Sequence, residues 1–456
     1  MANSKPNQKN NHPTIAFIAL CLGFFMTILD VTIVNVALVD IKTHLGGNIN
    51  ALQWILDGYA LVYASFLLTT GALGDRLGNK RIFIVGLGLF TLASILCGLA
   101  PTLLILELGR LLQGLGAALL VPNSLALINH TFADEKKKAT ALGIYGAIGG
   151  LGAAVGPVLG GLLVHSFSWR SIFIVNFPVG IICFLLTFFF VKESQNRKQA
   201  GFDIPGQVAG ITALSLLTFA FIEGKGLGWH SPIIIGIFVS FAIAAILFLV
   251  REHKTKTPML PLAFFSNLTF SGANTIGFLA FFALYGELFI VSLFFQQIQH
   301  YSPLTTGMAF LPEGLALFIP TLFIGKLVGS IGVKVPILIG LVIGCLGYAG
   351  LAFITARTSY LFVAAAIGAI GLAMAFIVPP ITNVIVTNVQ EKYSGIASSI
   401  YNVSRQIGAV LGVAILGSLI GSHKEFIQDM HLAFLICAAL LFIALVIGAI
   451  FVKGNK

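Results

Sequence analysis

The sequence predicts an all-α polytopic membrane protein: two homologous six-helix halves with two further transmembrane helices inserted between them, fourteen spans in all. Three observations carry this. Of 456 residues, 57% are hydrophobic and only 9% charged, against about 25% charged in a soluble domain, and the mean hydropathy is +0.99. The apolar residues fall in a succession of runs long enough to cross a hydrocarbon core of about 30 Å. The second part of the chain also repeats the first at a nearly constant offset.

Taken in order, the first six runs cover residues 14–38, 52–73, 81–100, 103–127, 139–164 and 170–191. Two more follow at 205–222 and 231–250, and the last six at 268–298, 304–328, 335–355, 359–388, 394–420 and 432–452. The polar start MANSKPNQKNNHP leads into span 1 with no A-x-A cleavage site, which predicts a retained helix rather than a signal peptide. Span 7 is the shortest and opens on Pro205-Gly206. The five cysteines, Cys21, Cys97, Cys183, Cys345 and Cys437, all lie in apolar runs without metal or redox spacing and are expected to pack. No metal site and no cofactor is predicted.

The formal charge of +10 would suit a nucleic-acid partner, but the basic residues sit in short clusters between apolar runs. With the N-terminus inside, nineteen Lys and Arg fall on the inner side: Lys5, Lys9, Arg76, Lys80, Arg81, Lys136, Lys137, Lys138, Lys192, Arg197, Lys198, Arg251, Lys254, Lys256, Lys326, Lys334, Lys392, Lys453 and Lys456. Five fall outside: Lys42, Arg170, Lys225, Arg357 and Lys424. This bias predicts cytoplasmic termini and an even span count, and argues against nucleic-acid binding. The remaining two arginines, Arg110 and Arg405, lie inside spans.

Residues 144–156 (IYGAIGGLGAAVG) align with 400–412 (IYNVSRQIGAVLG) at an offset of 256. GALGDRLGNK at 71–80 aligns with GKLVGSIGVK at 325–334, offset 254, and DVTIVNVAL at 30–38 with ELFIVSLFF at 287–295, offset 257. Offsets so close in three places mean two homologous halves. The expected division is 1–195 for the first six-helix bundle, 196–256 for two inserted helices and linkers, and 257–456 for the second bundle. Two parallel repeats about an axis along the membrane normal are a transporter plan, with the site at midplane between them.

Four stretches carry chemistry. Residues 71–81, GALGDRLGNKR, are expected to form the inner loop between spans 2 and 3. There Gly71, Gly74 and Gly78 permit a tight turn, and Asp75 lies among Arg76, Lys80 and Arg81. That carboxylate can pair with those cations or with a helix N-terminus of the other half; the alternative is a plain positive-inside loop. Residues 106–118, LELGRLLQGLGAA, place Arg110 in span 4. Residues 152–161, GAAVGPVLGG, put Gly152, Gly156 and Gly160 four apart on one face of span 5, with Pro157 adding a bend and Gly161 following, an arrangement for very close helix contact. Residues 29–38, LDVTIVNVAL, place Asp30 in a run without another charge from about Ile15 to Val39, where such a group costs roughly 2.5–3.5 kcal/mol and normally faces a cavity or partner. At about 1.5 Å per residue, Asp30 and Arg110 lie at similar depth, roughly 6–8 Å outside midplane, so that they can pair.

Together these stretches resemble the major facilitator superfamily, and the helix 1 motif with the two extra helices narrows the resemblance to its fourteen-helix drug:proton antiporters. The resemblance covers nearly the whole chain. It implies a cytoplasmic gate latch at 71–81, a proton-transfer role for Arg110 and an antiporter packing face at Gly152–Gly161. The sequence departs from the family at Val39, where a proline usually follows the Ala-Leu pair. In the second half, Gly329 and Ser330 replace the acid and arginine of the gate.

Further acids extend the proton-coupling set. Glu287 is the repeat counterpart of Asp30, which predicts a pore-lining slot. Glu313 follows Pro312 near the centre of span 10, and Asp57 is placed at the outer end of span 2. Each has a structural alternative, a hydrogen-bonded acid or a solvated helix end. Arg405, near midplane in span 13, calls for an acid partner. Span 9 is rich in aromatics; Phe281, Tyr285 and Phe289, with Asn35, Asp30 and Glu287, are the expected substrate contacts.

There is no ATP-binding loop and no nucleophile–base pair, so a catalyst is not expected. Energy must come from a gradient, about 2.3 kcal/mol per charge per 100 mV and about 1.36 kcal/mol per pH unit. The expected function is export of small hydrophobic or amphipathic compounds in exchange for protons, by a monomer in the plasma membrane of a prokaryote. The alternatives are an exporter or proton-coupled importer of one metabolite, siderophore or lipid, and a non-transporting receptor or scaffold on the same fold.

Overall fold

The structure, a computed structural model, describes residues 12–132, 134–193, 203–255, 258–390, 393–421 and 425–452. Of the basic residues weighed for orientation, Lys5, Lys9, Arg197, Lys198, Lys256, Lys392, Lys424, Lys453 and Lys456 lie outside them, as do the expected division points near 195 and 256. The described chain forms fourteen helices long and apolar enough to span a bilayer. They are α1 (Pro13–Leu45), α2 (Ile49–Leu77), α3 (Asn79–Gly98), α4 (Leu103–Thr131), α5 (Glu135–Ser166), α6 (Ser171–Phe190), α7 (Ile204–Leu227) and α8 (Pro232–Lys254). The rest are α9 (Leu268–Ile298), α10 (Pro303–Ile331), α11 (Lys334–Leu351), α12 (Tyr360–Thr387), α13 (Ser394–Leu419) and α14 (Phe426–Phe451).

Most helices outrun the apolar stretch that announces them. Hydropathy reports the hydrocarbon-buried part, whereas backbone pairing continues into the interface until a cap or glycine stops it. The seventh is a full 24-residue helix, because Pro205 falls in its first turn, where a missing N–H costs nothing, and the Asp203 side chain accepts from Gly206 N at 3.2 Å. Two spans are interrupted. α10 breaks at Phe310 between Pro303–Ala309 and Leu311–Ile331, and α6 breaks at Val175. In each, a proline just beyond the break (Pro312, Pro178) removes an N–H and crowds the carbonyl four residues earlier.

The same neighbour pattern recurs in the two halves: α1 on α5, α2 on α4 and α3 on α4 in the first, α9 on α13, α10 on α12 and α11 on α12 in the second. The halves meet along two seams, α2 with α13 and α5 with α10. Of the inserted pair, α7 lies over the first seam, packed on both α2 and α13, and α8 packs outside it with most of its surface exposed. At the end of the molecule far from the described termini, the halves are closed. The Gln53 amide of α2 donates to Val413 O and Ala414 O of α13 at 2.8 and 3.0 Å, and Ser292 of α9 donates to Asn35 O of α1 at 2.7 Å.

Candidate functional site between the two halves

Burial sets the terms of the site, since an ionised group here has no water to answer it. Asp30 is completely buried and Arg110 is 1% exposed; Arg110 Nη1 pairs directly with Asp30 Oδ2. Arginine suits this place because its planar fork offers several donors at once. Here Nε donates to Ile55 O at 2.9 Å and Nη1 also to Gln113 Oε1 at 2.9 Å. The guanidinium lies 4.5 Å from the Tyr59 ring centroid. The other carboxylate oxygen of Asp30 accepts from Gln113 Nε2 and from Asn176 Nδ2, each at 3.1 Å, and Ser94 joins both amides at 2.7 and 3.3 Å. Helices α3, α4 and α6 thus each place one or more groups around a single carboxylate of α1. Gln113 was readable, three residues after Arg110 on the same helix face. Ser94 and Asn176 had no signal, because lone small polar residues are common in spans.

A small cavity opens on the other side of Arg110, lined by Asn35, Asp57, Tyr59, Tyr285 and Gln406 among others. A second is lined by Thr32, Pro157, Tyr285, Phe310, Glu313 and Leu317 among others. Tyr285 belongs to both. Arg110 therefore stands between the cavity and Asp30, which lines neither of them.

Several expected positions differ. Asp57 is not at a helix end: it lies two turns inside α2, 1% exposed, with both oxygens lacking a hydrogen-bond partner. α2 starts at Ile49, three residues ahead of its predicted apolar run, so Asp57 stands eight residues inside the helix. Glu287 lines neither of these two cavities. It is fully buried inside the second bundle near Glu313, Tyr348 and Cys437, and both its oxygens lack hydrogen-bond partners. A repeat fixes the level of a residue along its helix and leaves its surroundings to the neighbouring helices. Asn35 and Tyr285 line the first cavity, whereas Phe289 is fully buried and packs toward Gly417 of α13. Phe281 lies beneath Arg405, 4.0 Å from guanidinium carbon to ring centroid. Arg405 has no carboxylate within ion-pair distance among the described residues; it rests on Phe281 and Tyr401 and donates to Asn402 Oδ1 at 3.4 Å, which leaves the cation balanced by π faces.

Residues 71–81 are not a loop. α2 continues to Leu77 and α3 starts at Asn79, so Gly78, at φ 110°, is the whole connection. Gly71 and Gly74 are both helical, and at Gly74 a Cβ would collide with Asn123 and Asn79. Among the described residues, no ion pair joins Asp75 to Lys80 or Arg81. The acid at this turn is Glu193, whose carboxylate accepts from Lys80 N at 2.9 Å and Arg81 N at 3.3 Å, where the first amides of α3 have no helical partner. In α5, Gly152, Gly156 and Gly160 face Ile28, Thr32 and Ile33 of α1, and Pro157 and Gly161 meet Gly307 and Pro303 of α10.

A profile of the Major Facilitator Superfamily matches residues 20–413. The chain belongs to that superfamily. Among its relatives, the multidrug resistance protein Stp of Mycobacterium tuberculosis (strain CDC 1551 / Oshkosh) is 40% identical over 93% of this chain and 79% of that protein. The methylenomycin A resistance protein of Bacillus subtilis (strain 168) is 36% identical over 100% of this chain and 98% of its own length. The multidrug transporter protein MdtP of the same strain is 32% identical over 91% of this chain and 77% of its own. In fold, the chain is similar to a peptide transporter, POT, solved with sulfate (TM-score 0.72, 14% identity, 96% of both chains). It is also similar to a bacterial homolog of the human lysosomal transporter Spinster in an inward-facing, unoccupied conformation (TM-score 0.66, 17% identity, 99% of both chains). It is a multi-pass membrane transporter of the major facilitator fold.

Proposed function

We propose that this transporter exports small hydrophobic or amphipathic drugs in exchange for protons, working as a monomer with both termini in the cytoplasm. Its relatives' names, for multidrug resistance and methylenomycin A resistance, support efflux as the direction, and the excess of basic residues on the terminal side supports the orientation. In that orientation the far-end closure makes this an inward-facing state. The observation that carries proton coupling is the buried Asp30–Arg110 pair, which separates a fully enclosed carboxylate from the cavity between the halves.

A proton reaching Asp30 from outside removes the charge that holds Arg110. Freed from its partner, the guanidinium can turn toward the cavity and the groups around Asp57, which disfavours a bound cation and releases cargo. Loss of the proton to the cytoplasm restores the pair. Asp57, Glu313 and Glu287 are further proton carriers in this scheme, and Tyr285 and Asn35 contact the cargo. In everted vesicles with an imposed pH gradient, Asp30→Asn is expected to abolish gradient-driven uptake of a fluorescent drug. Undiminished gradient-driven uptake would overturn the assignment.

A further inference from the structure

We infer that amphipathic substrates enter this transporter sideways, from the membrane leaflet on the terminal side, through the seam between α5 and α10 and not through the one between α2 and α13. The inference rests on the efflux reading above and adds the route and the kind of molecule that takes it.

The two seams are built differently. Along α5 and α10 the contacts follow one face of each helix: Gly161 against Pro303, Pro157 against Gly307, Ala154 against Gly314 and Gly150 against Phe318. At the first three, a Cβ on the glycine would collide with the opposite helix, so the seam is shut at the far end. The next positions on the same two faces are Gly146 and Gly143 on α5, and Gly325 and Gly329 on α10. None of these four has an atom within 4 Å of where a Cβ would stand, and all are exposed. The helices therefore part below Phe318, leaving a gap walled by glycine and apolar side chains.

The gap leads somewhere. Directly above it lies the second cavity, with Ala153, Pro157 and Leu317 from the two seam helices in its wall. Glu313, on the same wall, is 5% exposed and its Oε2 has no partner. An unanswered carboxyl at the inner end of an apolar passage suits a molecule with an apolar body and a hydrogen-bonding or cationic head.

The other seam is covered. α7 runs along α2 for most of its length: Trp54 Nε1 and Asn50 Nδ2 donate to Glu223 at 2.9 and 3.1 Å, and Gln207 Nε2 donates to Ser65 O at 2.6 Å. Lys225 reaches across to Leu419 O of α13 at 3.1 Å. The inserted helices thus stand between that seam and the lipid, and among the described residues nothing comparable covers α5 and α10.

The test uses Gly146→Trp and Gly325→Trp, which fill the gap without touching either cavity, in everted vesicles with tetraphenylphosphonium as a membrane-dissolving probe. Each is expected to raise KM at least fivefold with kcat unchanged. An unchanged KM overturns the portal. A second measurement does not depend on those variants: in a chain whose five cysteines are replaced by serine or alanine, Leu317→Cys is expected to react faster with a lipid-soluble maleimide than with a charged one added from the terminal side. Faster reaction with the charged reagent overturns the inference even if the protein exports drugs, and absence of any drug transport by the unmodified chain would instead sink the efflux reading.

Discussion

Asp30 and Glu287 hold corresponding places in the two repeats and are kept there in opposite ways. Asp30 is answered by an arginine, two amides and a nearby serine. Glu287, as deeply buried, has no hydrogen-bond partner at either oxygen. The repeat says why. The offset of 257 that relates the two acids carries Arg110 to Ile367 and Gln113 to Ile370, both buried, and the offset of 254 carries Ser94 to Tyr348, whose hydroxyl is also unpartnered. The second half kept the acid and exchanged its polar neighbours for apolar ones. One half of the pseudo-symmetric pair thus answers its buried acid with donors, and the other leaves its acid without any. Symmetry of backbone is therefore no guide to symmetry of electrostatics.

The largest test of this contrast is to break the answered site. Arg110→Ala leaves Asp30 buried and unpaired, which is expected to cost about 3–5 kcal/mol and to appear as a marked fall in detergent melting temperature; an unchanged melting temperature would show that the pair contributes nothing to the fold. The unanswered site should respond with the opposite sign. Glu287→Met removes two unsatisfied oxygens at similar volume and is expected to stabilise by about 1–3 kcal/mol, at the expense of any proton that Glu287 carries. If this variant melts lower, Glu287 has partners that the contrast denies. The smallest effect concerns the amide shell: Asn176→Ala is expected to cost about 1 kcal/mol and to shift the pH dependence of transport, while the same truncation of Cys437, near Glu287, should leave that pH profile in place.

How much was legible varies with the kind of evidence each residue offers. The Asp30–Arg110 pair could be anticipated because two lone charges at one depth in a bilayer have few other partners. The substrate side was only half legible: Tyr285 and Asn35 do face a cavity, yet Phe289 from the same aromatic run is packed away, since aromatic composition says nothing about which way a helix is turned. The gate stretch misled through its glycines. Three glycines in a row of turns look like a loop, yet Gly71 and Gly74 are helical, and at Gly74 the side chains of Asn123 and Asn79 pass too close for a Cβ. Gln53, which closes the far end by reaching two carbonyls of α13, and Glu193, which caps α3, are polar residues near span ends whose partners lie far away in the chain.

The sequence by itself determined that this is a membrane protein with fourteen helices in two related halves and a two-helix insert. It could do so because hydrocarbon leaves a spanning segment no alternative to pairing its own backbone, so that hydropathy alone counts the helices. Only the tertiary structure decided which helices touch, which seam the insert covers, which end is closed and which buried acid is answered. Inside a bilayer the apolar faces of helices gain little from one another that lipid would not supply, so their arrangement rests on close backbone approach and on individual polar contacts, and these exist only once the helices are in place.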